Sequence, residues 1–264
     1  RSCRLLPWRS PQDREIARLA IPAFGALIAE PVYVLTDTAI VGHLGTPQLG
    51  GLAVASSVLL TLYAVFVVLA YGTTAAVSRL VGAGDERAAI GQAVQALWLA
   101  LGIGVIVALV GLLLAEPLVA VLGAEGDVRT YALTYLRISL LGVPALLLTL
   151  AGTGFLRGAQ DTTTPLVIAA TTAAGNLVLE CVLVFGLDRG IGASALSTVL
   201  AQTAGAAAYV WRVARGARAA DVGLRPDVAA VRRLARVGAD LLVRSLNRSL
   251  SSRDRAARCP SRLA

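Results

Sequence analysis

The amino-acid sequence predicts an all-α fold: a polytopic membrane protein built as a bundle of six transmembrane helices. Three observations carry that prediction. Hydrophobic residues make up 56% of the 264 residues, charged residues only 15%, and the mean hydropathy is +0.73, too apolar for one or two water-soluble domains of this length. Six segments each hold about 20 apolar residues, the length that crosses about 30 Å of hydrocarbon at about 1.5 Å rise per residue. The connections between them are short and punctuated by Gly, Pro and Asp, so no soluble domain fits between helices and the spans must pack on one another.

The first span is placed at residues 16–41, where an apolar run continues from Arg18 to Gly42 and Pro22 and Pro31 interrupt the helix. It is too long for a signal-peptide core and no A-x-A-type site closes it, so it is read as retained. The loop GHLGTP at 42–47 leads to the second span at 49–78, and GAGDERA at 82–88 leads to the third at 89–114. The fourth, at 128–156, is interrupted by Pro144. After GAQDTTTP at 158–165 comes the fifth at 165–187, and LDRGIG at 187–192 opens the sixth at 191–213. The second and fourth are long for one crossing and must tilt or project into water. RLVGAGD at 79–85 and FLRGAQD at 155–161 share a pattern that reads as a helix end capped by Gly, followed by an Asp or Thr able to cap the next helix. Gly154 with Gly158, and Gly192 with Leu196 flanked by Ala193 and Ser197, let helices approach closely.

All 24 basic residues are Arg, and they crowd the two ends: Arg1, Arg4, Arg9, Arg14 and Arg18 before the first span, Arg212, Arg215, Arg218, Arg225, Arg232, Arg233 and Arg236 after the sixth. By the positive-inside rule both termini face the cytoplasm, as an even number of crossings requires. Arg placed beside apolar spans is a topology signal, so the pI near 10.2 does not imply nucleic-acid binding. Residues 1–15 are expected to form a cytoplasmic tail and 16–213 the six-helix lobe. Residues 225–244 have apolar positions at helical spacing with Arg on the other face, so 214–244 reads as an amphipathic cytoplasmic linker. Residues 245–264 are Ser- and Arg-rich without periodicity and read as disordered.

Two acids stand inside apolar runs, Asp37 in the first span and Glu180 in the fifth. A carboxylate at the centre of a bilayer helix costs about 3 kcal/mol on insertion scales, so it persists where it has a partner or a function. Asn176 and Glu180 lie four residues apart on one helix face, with Thr172 a turn earlier; Glu30 and Asp37 are seven apart, again one face, and Glu30 is a further candidate. If those faces meet, Asp37, Asn176 and Glu180 make an oxygen-rich pocket suited to a proton shared between carboxylates or to a desolvated Na⁺. His43, in the loop-edge GHLG, reads as a turn or cap residue. One His and three scattered Cys offer no metal-ligand spacing, so no metal and no cofactor beyond a coupling ion is expected. No nucleophile turn of the G-x-S-x-G kind lies in a span and no P-loop is present, so no catalytic residues are assigned and the chain is not read as an enzyme.

Several segments, in order, resemble the multidrug and toxic compound extrusion (MATE) transporters, particularly their DinF-like branch: IPAFGALIAEPVYVLTDTAIVGHLGTPQLGGLAVASS at 21–57, SRLVGAGDERAA at 78–89, FLRGAQDTTTP at 155–165, GNLVLECVLVFG at 175–186 and GIGASALSTVLAQ at 190–202. The resemblance covers about residues 12–244. It implies a plasma-membrane antiporter that expels small organic, often cationic compounds in exchange for H⁺ or Na⁺, through a fold of two six-helix lobes with a cleft between them. It further implies a cation-coupling site at Asp37, Asn176, Glu180, Thr198 and Tyr135, with Pro22 as the hinge of the first helix. Glu180 stands where the branch more often has Asp. The chain resembles the amino-terminal lobe only, with VGADLLVR at 237–244 as the opening of a seventh helix. The switch there to a polar tail is what a frameshift or truncated gene would produce, so the chain alone is not expected to transport unless it pairs with a second lobe or with itself. Two other readings stay open: a lipid-carrier flippase of the same superfamily, against which the intramembrane charges are acids rather than bases, and a truncated membrane fragment with no substrate.

Overall fold

The computed structural model of the protein describes residues 34–186 and 190–229, with single positions at 24, 31, 231, 232 and 234. All regular structure among them is helical. Residues 34–42 form the described end of α1, followed by α2 (Thr46–Gly82), α3 (Glu86–Val121), α4 (Gly126–Leu141), α5 (Val143–Gly158), α6 (Thr163–Cys181) and α7 (Gly190–Ala219). A π-helical turn, Val182–Gly186, continues α6 directly. Helices α2, α3, α6 with its π-turn, and α7 are long and apolar enough to cross a membrane, and α4 with α5 makes one more span bent by 49°. The proposed seventh-helix opening, the tail at 245–264 and most of the first span lie outside the described residues.

The bend has a local cause. Pro144 sits in the first turn of α5, where a missing backbone donor costs nothing, and the helix breaks at Gly142 rather than merely kinking at the proline. Opposite the break, α3 comes so close that a Cβ on Gly104 would stand 2.6 Å from the Pro144 Cα. Helices α2 (37 residues) and α3 (36 residues) are about 55 Å long at about 1.5 Å per residue, well beyond the hydrocarbon thickness. The second span was expected to project; the third was not, and it runs past residue 114 through Pro117 to Val121, with Glu116, which ends the apolar run, meeting Arg137 of α4 at 2.7 Å. Helix α7 likewise continues past residue 213 to Ala219.

At the ends of α2 and α5, Gly82 and Gly158 are the last helical residues, not the capping ones. The residues in the left-handed region are Gly84 (φ 76°) and Gln160 (φ 62°), two positions later, and the chain closes each end with a bond from Asp85 N–H to the Leu80 carbonyl (3.0 Å) and from Asp161 N–H to the Leu156 carbonyl (2.8 Å). Each Asp then caps the next helix: Asp85 Oδ1 accepts from Ala88 N–H and Asp161 Oδ1 from Thr164 N–H, both at 2.9 Å. Gly158 is needed for space, since a Cβ there would lie 2.8 Å from the Val77 Cβ.

The interior is centred on the broken span. Leu136, Leu140, Val143 and Leu147 pack against Leu52 and Ala55 of α2, Ala96 and Ala100 of α3, and Ile191 and Ala195 of α7. Helix α6 leans chiefly on α7. A separate small cluster, Ile40 of α1, Val184 of the π-turn and Ala193 of α7, joins the three elements that carry the polar site.

Candidate functional site

Asp37 lies one turn before Ile40 on α1, Glu180 one turn before Val184 on α6, and Ser194 directly after Ala193 on α7, so the apolar cluster brings three oxygen-bearing side chains side by side. All three are buried, Glu180 at 1% and Asp37 at 8% exposure. The Ser194 Oγ stands 2.9 Å from Asp37 Oδ1 and 2.8 Å from Glu180 Oε1, bridging the two carboxyl groups with one hydroxyl. From α4, the Tyr135 hydroxyl reaches toward Asp37 Oδ2 at 3.5 Å.

Asn176 is buried one turn before Glu180, and its Oδ1 has no hydrogen-bond partner among the described residues. An amide oxygen shielded from water and left unpaired is costly, and such an acceptor is met by a water, an ion or a donor group of a ligand. Thr198 is buried one turn after Ser194 on the same face of α7. Around the site Ser197 Oγ donates to the Ser194 carbonyl at 2.7 Å, fixing the local course of α7. The ion pairs among the described residues, Arg87 with Asp221, Arg137 with Glu116 and Arg212 with Asp161, reach neither buried acid.

The structure therefore brings Asp37, Glu180 and Tyr135 into one hydrogen-bonded group, with Asn176 and Thr198 a turn away on the helices that form it. Glu30 and Pro22 lie outside the described residues. His43 is at the exposed end of α1, its Nδ1 2.7 Å from the Ala39 carbonyl, which is a capping contact away from the acids. Sequence reasoning missed Ser194, the residue that touches both acids. The available signal was its spacing: it stands one turn before Thr198. The π-turn Val182–Gly186, which starts two residues after Glu180, was also unread; it carries Val184, which is buried against Ile40 and Ala193.

A shielded group of two acids and several neutral oxygens, contributed by separate helices of a polytopic bundle, is the build of a secondary-transporter lobe. The MatE family model matches residues 22–182, and the chain belongs to that family, the multidrug and toxic compound extrusion transporters. It is 33% identical over 193 residues to the DNA damage-inducible protein F of Escherichia coli (strain K12), and 28% identical over 202 residues to a probable multidrug resistance protein NorM of Thermotoga maritima, each alignment covering 73% of this chain and 42% of the relative. It is similar in structure to a MOP superfamily transporter from Pyrococcus furiosus Vc1, whose binding pocket is described as reversed in polarity and suggestive of a different function, with a TM-score of 0.78 and 26% identity over 90% of this chain and 53% of that one. The chain thus spans about half the length of that transporter, or somewhat less of the curated relatives, as one lobe of about six helices would.

Proposed function

We propose that the chain is the amino-terminal lobe of a cation-coupled antiporter that exchanges H⁺ or Na⁺ for small organic, often cationic compounds across the plasma membrane. The observation that carries this reading is the Ser194-bridged pair of Asp37 and Glu180, buried with the unpaired Asn176 oxygen one turn away. The two carboxyl groups come from different helices and meet at a hydroxyl on a third, so their occupancy by a cation is coupled to how the three helices sit. The names of the relatives support drugs as cargo, and the half-length coverage supports a second lobe as the partner needed for transport. In this reading residues 16–213 are the lobe and 214–244 a cytoplasmic linker. Arg79, Arg87, Arg157 and Arg212 stand at the linker's end of the bundle, which supports a cytoplasmic position for both termini.

The test is hydrogen exchange on the purified chain in lipid nanodiscs, with pH and Na⁺ varied in turn. Exchange at 34–42 and at 176–186 should respond to at least one of the two ions, and Asp37→Asn should remove the response while leaving insertion and helix content intact. Indifference of the native chain to both ions would end the coupling assignment. Joined to the carboxy-terminal half of the E. coli relative, the chain should extrude a cationic dye, and the same substitution should abolish extrusion.

A further inference from the structure

Two helices mark the level at which the bundle leaves the hydrocarbon. From Ala96 to Ala115, α3 is an unbroken apolar run that, at about 1.5 Å per residue, matches the roughly 30 Å of hydrocarbon. Helix α7 carries no charge from Gly190 to Trp211 and meets its first Arg at 212. Trp98 and Trp211, both exposed, stand at these two ends, where Trp collects in membrane helices. Beyond Trp211, α7 runs on to Ala219, about 12 Å further into water. From there the chain turns back along α3. Arg87 donates to the Asp221 carbonyl at 2.8 Å, Val222 packs against Ala93, Val94 and Val213, and Trp98 Nε1 donates to the Leu224 carbonyl at 2.9 Å. Gln95 then holds two positions at once, donating to the Arg225 carbonyl at 3.2 Å and accepting from Asp227 N–H at 2.8 Å. Arg87, Gln95 and Trp98 follow one another along one face of α3, so residues 221–227 form a strap that returns the chain to the level of the membrane surface.

At that level a new helix opens. The Asp227 carbonyl accepts from Val231 N–H at 2.8 Å and its Oδ1 from Ala229 N–H at 2.9 Å, and every described position from Val228 to Leu234 is helical. Val228 is 78% exposed, an apolar side chain with no protein over it beside the start of the hydrocarbon, and the exposed Leu224 lies just before it. By helical spacing Val228, Val231 and Leu234 share one side and Arg232 falls on the other. Arg225 and Arg232 are exposed, and neither joins an ion pair among the described residues. We propose that the strap delivers this helix to the cytoplasmic leaflet, where Val228 and its apolar neighbours enter the headgroup boundary and Arg225 and Arg232 bind the phosphates of anionic lipids. Charge favours lipid as the cover. Between 225 and 236 the sequence has Arg at 225, 232, 233 and 236 against a single acid, Asp227, whose carboxylate is taken by the helix cap, and a negatively charged surface complements that balance. The chain leaving the bundle is thereby anchored at a fixed height, by α3 on one side and by the leaflet on the other. From the proposed function this takes only the cytoplasmic position of this end of the bundle, and the buried acids play no part in it.

Hydrogen exchange of the purified full chain is compared in nanodiscs of phosphatidylcholine and in nanodiscs of an equimolar mixture of phosphatidylcholine and phosphatidylglycerol. A nanodisc offers the same lipid on both faces, so the comparison holds whichever way the bundle is oriented in the cell. Exchange at residues 222–234 should be several times slower in the anionic discs, the difference should shrink as salt is added, and α4 and α5 should exchange alike in both. Arg225→Gln combined with Arg232→Gln should remove the difference while the strap stays in place, since the strap uses the Arg225 carbonyl and not its side chain. Val228→Ser should speed exchange at 228–232 in both kinds of disc. Equal exchange of the native chain in the two lipids overturns the inference, and so does an Arg double variant that still slows in the anionic discs. Protection that arises in phosphatidylcholine once the carboxy-terminal half of the E. coli relative is joined on also overturns it, and assigns Val228 to the second lobe. Each of these outcomes leaves the response of 34–42 and 176–186 to pH and Na⁺ untouched, and loss of that response leaves the lipid contact standing.

Discussion

Replacing Gly154 by Ala tests whether α2 and α5 touch through their backbones. A Cβ at Gly154 would stand 2.5 Å from the Ala70 carbonyl oxygen, against the 3.4 Å at which ordinary contact begins, so about 0.9 Å must be found. The obstructing atom is backbone inside a helix and has no rotamer to swing away. The helices must therefore part. Overpacking of this kind costs about 1–3 kcal/mol. Parting also stretches the Thr74 hydroxyl's contact with the Gly154 carbonyl, now 3.0 Å, beyond bonding range, although that hydroxyl keeps the Ala70 carbonyl at 2.9 Å. Interhelical hydrogen bonds in membranes average about 0.6 kcal/mol, so the whole effect should be about 2–3 kcal/mol. Gly158 belongs to the same interface, its added Cβ lying 2.9 Å from the Thr74 carbonyl. Once the helices have separated for one methyl, the second meets less resistance, and the double variant should cost clearly less than the two singles together. Gly102, exposed on α3 with nothing within 4 Å of an added Cβ, is the control, and Ala there should be neutral or mildly stabilising. Stability is read by thermal and denaturant unfolding of the purified protein in one detergent. A Gly154→Ala variant that melts with the Gly102→Ala control, or a double variant whose cost equals the two singles together, would refute backbone contact as the limit.

Asp161→Ala should cost about 1 kcal/mol in the same unfolding assay, because Asp161 accepts both the Thr164 N–H at 2.9 Å and the Thr164 hydroxyl at 2.6 Å at the start of α6; Asp161→Asn should keep most of the stability, and equal losses in the two variants would contradict capping. The segment after α7 is held to α3 through its own backbone, with Trp98 Nε1 donating to the Leu224 carbonyl (2.9 Å), Gln95 Nε2 to the Arg225 carbonyl (3.2 Å) and Asp227 N–H to Gln95 Oε1 (2.8 Å). Gln95→Ala combined with Trp98→Phe should release it and speed backbone hydrogen exchange at residues 222–229 severalfold with Tm little changed; an unaltered exchange rate would show that other contacts hold the segment.

The spans within the described residues were legible because an apolar run of sufficient length admits few alternatives, and the acids stood out because carboxylates inside such runs are costly enough to need a reason. What stayed hidden was whatever carries little cost. A serine in a membrane helix satisfies itself on the preceding turn, as Ser57 and Thr203 do here with the carbonyls of Ala53 and Val199. Nothing in its residue type therefore separated Ser194 from the others, and only the tertiary approach of α1 and α6 gave it two acidic partners. The extension of α3 was hidden for a related reason: Glu116 ends the apolar pattern, and its partner Arg137 is 21 residues away in sequence. At the helix ends, Gly-Ala-Gly-Asp and Gly-Ala-Gln-Asp were correctly read as one turn, but the glycine they share serves the last helical turn, while the left-handed position is Gly in one and Gln in the other.

The acids meet because α6 and α7 are held together on both sides of them. On one side Thr172 packs on Gly205, where a Cβ would come within 2.9 Å of the Thr172 Oγ1; on the other, Val184 of the π-turn packs on Ala193, with Ile40 of α1 completing the contact. Between these two fastenings the buried face of α7 carries only small side chains, Ser194, Ser197, Thr198 and Ala201. Small residues leave room for Glu180 and Asn176 from α6 and Asp37 from α1 within a dry interior, and a larger apolar residue at any of those positions would push the carboxyls apart. The small-residue pattern that in other helices of this bundle serves close packing here makes space for the polar group. Movement of α1 relative to this fastened pair would separate Asp37 from Ser194 while leaving the contact between Ser194 and Glu180 in place, so of the contacts to Ser194 it is the one to Asp37 that depends on where the first helix sits.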